Sequence, residues 1–475
     1  MFKKVVNIFL GTVITQGSTI LLYMVLARLL PVDDFATFRQ LFLILSILTA
    51  VSFSALPTSL LYFTGRAASG GERTQYLYLT AVLTVAISIA LSISLYFSSG
   101  WIAVLFNNVL LNDVLSWFAF SVIGILTISM MPSALLVLNK THLQVYLAAS
   151  IGLTTTIPCI TLAYYGADLA RIVQLLASIY LLIGLLLTCA LVYVTRHVNR
   201  SLSSLKDKAI QVAIYSWPLL AASGLSIVGL KIDHLFISSL LGITAYGLYS
   251  VGAFEIPVFN ILQNSVTSVL IPTVTAHLKR SRYHDASQLW SMAAKRTAWI
   301  TFPLASIFIL YAEVIVRFLF GDQYLHAAPI FAIFTSLVYV RVLSFGMALR
   351  ALGKTKLELV TTFFYLCTGA LGGYLITAHF GAVGTAIWVV INTLCLACGL
   401  SLLTLRCSGN EINIFAIYPK KELFFSISLL IGMGAINEIM TNNMQTFHLI
   451  VLINIGLLFV IWGALIKYVF DEKTA

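Results

Sequence analysis

The stretch "LARLLPVDDFATF" (Leu26 to Phe38) returns in weaker form as "ISSLLGITAYGLY" (Ile237 to Tyr249), at an offset of 211 residues. More matches follow in the same order in both halves of the chain, and their offsets drift only to 215. They pair "LPTSLLYF" at Leu56 with "IPTVTAHL" at Ile271, "LNKTHL" at Leu138 with "LGKTKL" at Leu352, and "YYG" at Tyr164 with "HFG" at His379. Ordered matches at a nearly constant offset indicate an internal duplication.

The composition indicates a membrane protein. The chain has 475 residues, of which 60% are hydrophobic and 9% charged, and its mean hydropathy is +0.98. A soluble domain carries about 25% charged residues, so this much apolar surface cannot be hidden in a soluble fold. The net charge of +11 does not indicate a nucleic-acid partner, because the basic residues lie in short loops between apolar runs.

Apolar runs long enough to cross the hydrocarbon core recur along the whole chain. A transmembrane helix needs about 20 such residues. The sequence predicts about fourteen spans, near 5–28, 38–63, 75–98, 114–138, 143–165, 171–194, 211–240, 244–273, 293–316, 327–349, 357–379, 382–405, 420–438 and 447–467.

The loop charges fix the predicted orientation. With the N-terminus in the cytoplasm, 22 of the 28 Lys and Arg residues fall in inner segments. The other six are Arg28, Arg39, Arg171, Lys231, Arg317 and Arg341. Such an asymmetry follows the positive-inside rule, and a missed span would have inverted every later loop. We therefore expect both termini to be cytoplasmic.

The duplication and the span count together predict the architecture. Each repeat holds six spans, so both copies have the same orientation in the membrane and form two parallel lobes. The predicted divisions are an N-lobe at 1–197, a C-lobe at 198–406 and an appended helix pair at 407–475. The predicted fold class is thus an all-α polytopic membrane protein. Two similar lobes are typical of a transporter that works by alternating access.

No motif of an enzyme occurs, and the C-x-x-C of Cys395 and Cys398 lies in an apolar run with no second pair and no nearby acidic or His ligand. The chain has no H-E-x-x-H, no Walker A and no G-x-S-x-G sequence. We predict neither catalysis nor a cofactor. Since no nucleotide-binding module is present, we expect the energy to come from an ion gradient (H+ or Na+), the membrane potential or the substrate gradient.

Polar residues recur on one face of the first span of each repeat. Gln16 and Tyr23 share a line on the first span with two threonines, within about 40° at 100° per residue. The offset of 211 places His234, on the seventh span, at the position of Tyr23. Two interpretations remain open at this stage. The stripe either forms interhelical hydrogen bonds or lines a hydrated cavity.

The seventh span carries "GLKIDHLF", with charges well inside the membrane. Lys231, Asp233 and His234 must face protein or water there, because a charge in lipid costs several kcal/mol. Either they form ion pairs that only position helices, or they bind the substrate and coupling ions. In the second case Lys231 contacts an anion, while Asp233 and His234 are proton or cation sites.

Two more intramembrane charges lie in the second half. Arg341, in "SLVYVRVLSFG", is near the middle of a span. Glu255, in "GAFEIPVFN", stands just before Pro257, where a proline frees backbone carbonyls. Glu255 either binds a coupling cation or pairs with Arg or Lys. Polar residues that follow on the same span, among them Asn260 and Gln263, add a further polar face.

Two outer-side arginines complete the set of candidates. Arg28 ends the first span about 160° away from the Tyr23 stripe, so it either snorkels or pairs with a nearby aspartate. Outer arginines are disfavoured, which keeps Arg28 and Arg39 as candidate substrate contacts. Several interior cations and few interior anions favour an anionic substrate, and Arg forks suit phosphate oxygens.

These motifs resemble one family. The chain carries "LLP-x-x-D-F-x-x-F" and "LLG-x-x-x-Y-G-x-Y" after spans 1 and 7, "KID" within span 7, and "LNKT" and "LGKT" after spans 4 and 10. It is similar to the bacterial polysaccharide flippases of the O-antigen type, in the multidrug/oligosaccharidyl-lipid/polysaccharide exporter superfamily. The resemblance covers spans 1 to 12. The chain departs from the family pattern at Ala36, where the family usually has Gly, and at Phe38, where it has Tyr.

The resemblance implies a V-shaped pair of six-helix lobes with a cationic central cavity, in the bacterial inner membrane. It implies movement of undecaprenyl-diphosphate-linked oligosaccharide from the cytoplasmic to the periplasmic leaflet during polysaccharide or lipopolysaccharide assembly. Membrane lipids, a polysaccharide polymerase and other assembly proteins are the expected partners. As hypotheses, Lys231 and Arg341 contact the diphosphate and Arg28 assists.

Three alternatives stay open. An ion-coupled multidrug antiporter of the same superfamily would favour cavity carboxylates, and only Asp233 and Glu255 lie at depth. A lipid II flippase is also similar to a fourteen-span chain. A membrane glycosyltransferase would need large outer loops with catalytic residues, whereas the outer loops here are short.

Overall fold

A computed structural model of the chain describes residues 2–53, 55–67, 69–196 and 202–440. These residues form helices and turns and contain no strand, so the predicted all-α fold is confirmed. Contacts group the chain into two compact units, Met1–Ser250 and Val251–Ala475, which are described separately. The divisions at 1–197, 198–406 and 407–475 come from the sequence repeat, and they stay a prediction.

The first unit contains ten α-helices within the described residues. They are α1 (Phe2–Leu29), α2 (Val32–Phe53), α3 (Ala55–Arg66), α4 (Gly70–Leu105), α5 (Val109–Phe118), α6 (Ser121–Val137), α7 (Leu143–Tyr164), α8 (Leu169–Val194), α9 (Leu202–Phe236) and α10 (Ile243–Gly252). A π-helical turn at Ile237–Leu241 continues α9. Ser69 caps α4 by accepting the amide of Glu72 at 3.2 Å.

Small residues set the helix spacing in this unit. A Cβ built on Gly124 of α6 would lie 1.8 Å from the carbonyl oxygen of Tyr180 on α8. A Cβ on Gly184 of α8 would lie 2.4 Å from the Cα of Gly124. Helices in membranes associate through such close backbone approaches, because lipid offers no hydrophobic driving force between them. The α6–α8 crossing therefore requires both glycines.

The second unit contains α11 (Pro257–Lys279), α12 (Tyr283–Leu310), α13 (Ala312–Phe320), α14 (Ala328–Arg341), α15 (Met347–Ala351), α16 (Thr355–Cys407), α17 (Ile414–Ile417) and α18 (Lys420–Met440). Helix α12 packs against α11, α14 and α18. Buried polar bonds fix these contacts. The hydroxyls of Ser306 and Ser426 lie 2.6 Å apart, and the indole of Trp290 donates to the carbonyl of Leu343 at 3.0 Å.

Helix α16 consists of two spans joined at Gly381. The φ of Gly381 is +65°, a conformation that suits glycine, and its ψ is −159°. Thr377 and Thr385 bond to each other across this point at 2.9 Å, and Thr368 donates to Asn392 at 2.7 Å. These cross-links are centred on the glycine, so the chain reverses there. The separate predicted spans at 357–379 and 382–405 agree with this hairpin.

The described helices follow the predicted spans in order along the chain. Seven described helices are long and apolar enough to cross a membrane, and the count rises to nine when each of two bent pairs is one span. That criterion counts the Gly381 hairpin once. Other predicted spans are broken, as at 38–63 and 244–273, where two helices share one span. The predicted span at 447–467 lies outside the described residues.

Candidate functional site

The duplicated motifs contact each other in the first unit. The hydroxyl of Thr244 on α10 donates to Asp33 on α2 at 2.6 Å, and Arg39 donates from Nη2 to the carbonyl of Ser250 at 3.3 Å. Both pairs are 211 residues apart, which is the offset of the repeat. Equivalent positions touch in this way only close to a pseudo-two-fold axis. We name the contact of α2 with α10 the repeat seam.

The same seam explains a departure from the family pattern. A Cβ built on Gly247 would lie 3.1 Å from the Cβ of Ala36, which is again 211 residues away. That distance is shorter than an ordinary van der Waals contact. A second Cβ at this pair of positions would be crowded by Ala36 and also by Val32, whose Cγ1 would lie 3.2 Å away.

Arg39 is held by aromatic and backbone groups. Its guanidinium lies 4.5 Å from the ring centroid of Tyr23, within cation–π range. The hydroxyl of Tyr246 donates to the backbone carbonyl of Arg39 at 3.3 Å. Tyr23 also packs edge-on against Phe38 and Phe42 of α2. The structure thus brings together two predicted substrate contacts, Tyr23 and Arg39, at the repeat seam.

A buried hydrogen-bond network adjoins Arg39. Gln40 donates to the hydroxyl of Ser238 at 2.6 Å and accepts from Asn108 at 2.7 Å. Asn108 also donates to Thr37 at 3.0 Å. All four side chains are buried. Buried polar groups of this kind need their partners, because each unpaired one costs about 1–3 kcal/mol.

Asp233 and His234 lie next to this network at the end of α9. The hydroxyl of Tyr249 donates to Asp233 at 2.6 Å. The ring of His234 makes edge-to-face contacts with Tyr249 at 5.2 Å and with Tyr246 at 6.0 Å. Both Asp233 and His234 are buried. The Nδ1 atom of His234 has no hydrogen-bond partner in the described part of the chain.

The remaining predicted contacts are Lys231, Gln16 and Arg28. Lys231 is half-buried on α9, two residues before Asp233. Gln16 is exposed on α1, and Arg28 is exposed in the last turn of the same helix. The structure does not bring Gln16 or Arg28 to Tyr23, which lies on the same helix.

The second unit joins the other two predicted charges. Arg341 donates from Nη1 to Oε1 of Glu255 at 2.6 Å. Asn260 donates to the other carboxylate oxygen of Glu255 at 2.8 Å. Of the two alternatives for Glu255, the structure shows pairing with an arginine.

Both partners of this ion pair stand where a span is interrupted. Glu255 lies in the non-helical link between α10 and α11, and Pro257 opens α11. Arg341 ends α14, and the chain passes Ser344 at a φ of +47° before α15 begins. Gln263 donates to the carbonyl of Arg341 and, at 3.2 Å, to the hydroxyl of Ser344. Interrupted helices are tolerated at membrane depth only where protein or a cavity satisfies the backbone.

The ion pair lines a small cavity with an open mouth. Three threonines and two residues with side-chain amides contribute to the lining of this cavity, and aromatic and aliphatic side chains form much of the rest. The polar members are Thr297, Thr301, Thr335, Asn260 and Gln263. A mostly apolar cavity with a few convergent polar groups is the usual form of a small-molecule or headgroup site.

Arg341 retains capacity for an anion. Among the residues that the structure describes, its guanidinium makes one hydrogen bond, through Nη1 to Glu255. A guanidinium has five N–H donors in a fork that matches phosphate oxygens. The Nε and Nη2 donors of Arg341 are therefore available to a ligand in the cavity.

Sequence reasoning missed the buried network of Gln40, Asn108 and Ser238. A signal existed, since Gln40 interrupts the apolar run "FRQLFLIL" directly after Arg39. Asn108 lies between α4 and α5, and nothing in its local sequence distinguishes it from an ordinary loop residue. Only the packing of α2 against α5 brings these side chains together.

Comparison with known proteins identifies the family and the fold. A sequence profile of the family described as "Polysaccharide biosynthesis protein" matches residues 25–329, more than half of the chain. A search of curated protein sequences finds no match.

Solved structures share the fold at low sequence identity. The lipid II flippase MurJ, in an inward closed conformation, superposes with a TM-score of 0.73 at 15% identity, over 98% of this chain and 99% of that one. An inward-facing MATE family multidrug resistance transporter of the MOP superfamily has a TM-score of 0.62 at 13% identity, over 86% and 99%. A MOP superfamily transporter from Pyrococcus furiosus has a TM-score of 0.59 at 14% identity, over 86% and 95%.

Proposed function

The chain belongs to the family of polysaccharide biosynthesis proteins, and we propose that it is a flippase for a lipid-linked oligosaccharide. In this proposal it moves undecaprenyl-diphosphate-linked repeat units from the cytoplasmic to the periplasmic leaflet of a bacterial inner membrane, by alternating access. The all-helical fold of MurJ and the MOP superfamily transporters is consistent with a flippase. The O-antigen type of repeat unit is part of the proposal.

The physical requirement is clear. A sugar diphosphate cannot enter hydrocarbon unaided, because its charges and hydroxyls would lose their hydration without replacement. A cavity that presents a cationic fork replaces part of that hydration. The apolar lipid tail stays in the bilayer or between helices.

The observation that carries the proposal is Arg341 in its cavity. Its guanidinium stands at an interrupted span and lines an open cavity, and its Nε and Nη2 atoms bond to no group in the described part of the chain. Arg–phosphate contacts are strong and geometrically selective. Lys231, Arg28, Arg39, Gln16 and Tyr23 stay predicted substrate contacts.

Coupling and partners complete the proposal. Asp233, His234 and Glu255 are the proposed sites of H+ or Na+ coupling, and MATE transporters share the fold. The proposed surroundings are the inner membrane with both termini in the cytoplasm, together with a polysaccharide polymerase and other assembly proteins. In this function the chain is a transporter and not an enzyme.

A deletion strain tests the proposal in the cell. We expect loss of surface polysaccharide and accumulation of undecaprenyl-diphosphate oligosaccharide in the inner leaflet, both restored by the wild-type gene. Full surface polysaccharide in the deletion strain would contradict the proposal. If that strain is instead sensitive to cationic drugs, the protein is a multidrug antiporter.

A lipid II flippase is the second candidate, since the match to MurJ extends over nearly the full length of both chains. Lipid II shares the undecaprenyl diphosphate and differs in its sugars. Purified protein in liposomes separates the two candidates when fluorescent lipid II and a fluorescent undecaprenyl-diphosphate oligosaccharide are compared. A membrane-impermeant quencher reports the fraction of each lipid that has crossed.

A further inference from the structure

In the Arg341–Glu255 pair, a carboxylate of the protein occupies an arginine that could bind the phosphate of a ligand. We propose that Glu255 is a specificity-determining residue, which occupies Arg341 until a lipid diphosphate displaces it and which thereby excludes singly charged phosphodiester lipids. This inference deepens the proposed flippase function and rests on it. The excluded class is the anionic phospholipid of the surrounding bilayer.

The donors that hold Glu255 are the donors that a phosphate needs. One carboxylate oxygen accepts from Arg341 Nη1 at 2.6 Å, and the other accepts from Asn260 at 2.8 Å. A phosphate group that replaces the carboxylate gains both donors at once. It also gains Nε and Nη2 of Arg341, which bond to no group in the described part of the chain.

A second Arg–Glu pair in the same unit, Arg350 with Glu358, makes more hydrogen bonds and serves as a comparison. Arg350 donates from Nε to both oxygens of Glu358, at 2.9 and 3.0 Å, and from Nη2 at 2.6 Å. These hydrogen bonds raise the pKa of the Arg350 guanidinium. Arg341 makes one bond to its glutamate where Arg350 makes three, so the Arg341–Glu255 pair is the more easily exchanged.

The surroundings anchor the arginine, and the glutamate is the more exposed partner of the pair. Gln263 bonds to the backbone carbonyl of Arg341, and Thr267 bonds to Ser344 at 2.8 Å just beyond it. Glu255 stands instead in the non-helical link between α10 and α11. Its side chain is 46% exposed and that of Arg341 is 28% exposed, so both are reachable from the cavity.

Charge then decides which lipids succeed. A phosphodiester lipid carries one negative charge, as Glu255 does, but it must lose translational freedom to bind, whereas Glu255 is already tethered. A diphosphate carries more than one charge and has two adjacent phosphates for the fork. The tethered carboxylate therefore outcompetes the phosphodiester and yields to the diphosphate. Specificity of this kind comes from an interaction that penalises the wrong ligand.

Binding of undecaprenyl diphosphate to the purified full-length protein, in nanodiscs of zwitterionic phosphatidylcholine, tests the inference. Phosphatidylglycerol is the competitor. For the wild type we expect binding that phosphatidylglycerol does not reduce. For Glu255→Gln we expect undecaprenyl diphosphate to bind about tenfold more tightly and phosphatidylglycerol to compete. For Arg341→Gln we expect binding of neither lipid.

Glu358→Gln is the matched control, since it neutralises a glutamate paired with arginine away from the cavity. We expect it to behave as the wild type. Glu255→Asp keeps the negative charge and should still exclude phosphatidylglycerol. This variant shows whether the charge, rather than a disturbance of the fold, causes the effect of Glu255→Gln. Thermal melting verifies that each variant is folded.

The outcomes distinguish the two levels of the proposal. A wild type that binds no undecaprenyl diphosphate overturns the flippase function together with the role of Glu255. A wild type that binds it, with Glu255→Gln unchanged toward both lipids, overturns the role of Glu255 alone. Competition by phosphatidylglycerol in the wild type would also overturn the role of Glu255 alone.

Discussion

Two arginines inside apolar helices are stabilised in opposite ways. Arg39 lies at the repeat seam of the first unit, against the ring of Tyr23 and the carbonyl of Ser250. Arg341 lies at an interrupted span of the second unit, beside the carboxylate of Glu255 and an open cavity. Neutral groups built into the fold hold the first cation, and an exchangeable charge holds the second.

The difference predicts which property a substitution changes first. A π face and a carbonyl dipole stabilise a cation without a counter-charge that a ligand can replace. An ion pair in a cavity is different, since a better anion displaces the carboxylate. The seam and the buried network around Gln40 should therefore respond to substitution through stability, and the Arg341 region through transport.

The largest effect is expected at Arg341. Arg341→Gln removes the cationic fork, and charge-assisted hydrogen bonds contribute about 1.5–3 kcal/mol, so the flipping rate should fall about 100-fold. The measurement is flipping of fluorescent undecaprenyl-diphosphate oligosaccharide in proteoliposomes. Arg350→Gln removes an arginine paired with Glu358 and should leave the rate near that of the wild type. Equal losses in both variants would remove the distinction between the cavity and its surroundings.

The next largest effect is expected in the buried hydrogen-bond network around Gln40. Gln40→Leu leaves Asn108 and Ser238 without their shared partner, which should lower the free energy of unfolding by about 2 kcal/mol. Thermal unfolding in detergent measures the change. Gln16→Leu is the control, because Gln16 is exposed on α1 and its replacement should leave the melting temperature close to the wild-type value.

A smaller effect is expected within the seam itself. Gly247→Ala brings a second Cβ to 3.1 Å from Ala36, and such overpacking should cost about 1–2 kcal/mol. Ala36→Gly in the same chain should restore part of the stability, because it removes the contact at 3.1 Å while Val32 still lies 3.2 Å from the new Cβ. A double-mutant cycle on unfolding measures this coupling. Additive changes would show that the two positions do not share the space.

The smallest effect concerns the aromatic support of Arg39. Tyr23→Leu removes the ring face below the guanidinium and should cost about 1 kcal/mol of stability, whereas Tyr23→Phe keeps the face and most of the stability. Unfolding of both variants beside the wild type measures the difference. Losses of the same size would mean that the hydroxyl of Tyr23, and not its ring, matters for stability.

The fold was largely predictable because membrane constraints act locally. Apolar runs of the required length and the bias of basic residues predict most helices, and broken spans such as α10 and α11 keep the same apolar pattern. The interruptions were less evident. Pro257 signals the one beside Glu255, but no proline or glycine stands directly before the break that follows Arg341.

The individual residues of the candidate site could be predicted from the sequence, but the contacts between them could not. Arg341 and Glu255 stand out because charges in an apolar span are rare and expensive. Their pairing joins positions 86 residues apart, and no sequence pattern links them. Asn260 was recognised only as part of a polar face, and its bond to Glu255 depends on the non-helical backbone at 254–256.

The sequence by itself determined the membrane environment, the helical class, the internal repeat and the set of intramembrane charges. These follow from composition, periodicity and offset, which one chain carries without reference to its packing. Only the tertiary structure decided that equivalent residues of the two repeats touch, that Arg39 rests on Tyr23 and that Arg341 pairs with Glu255. Such contacts depend on how distant helices cross, and a helix crossing is fixed by side chains from many parts of the chain at once.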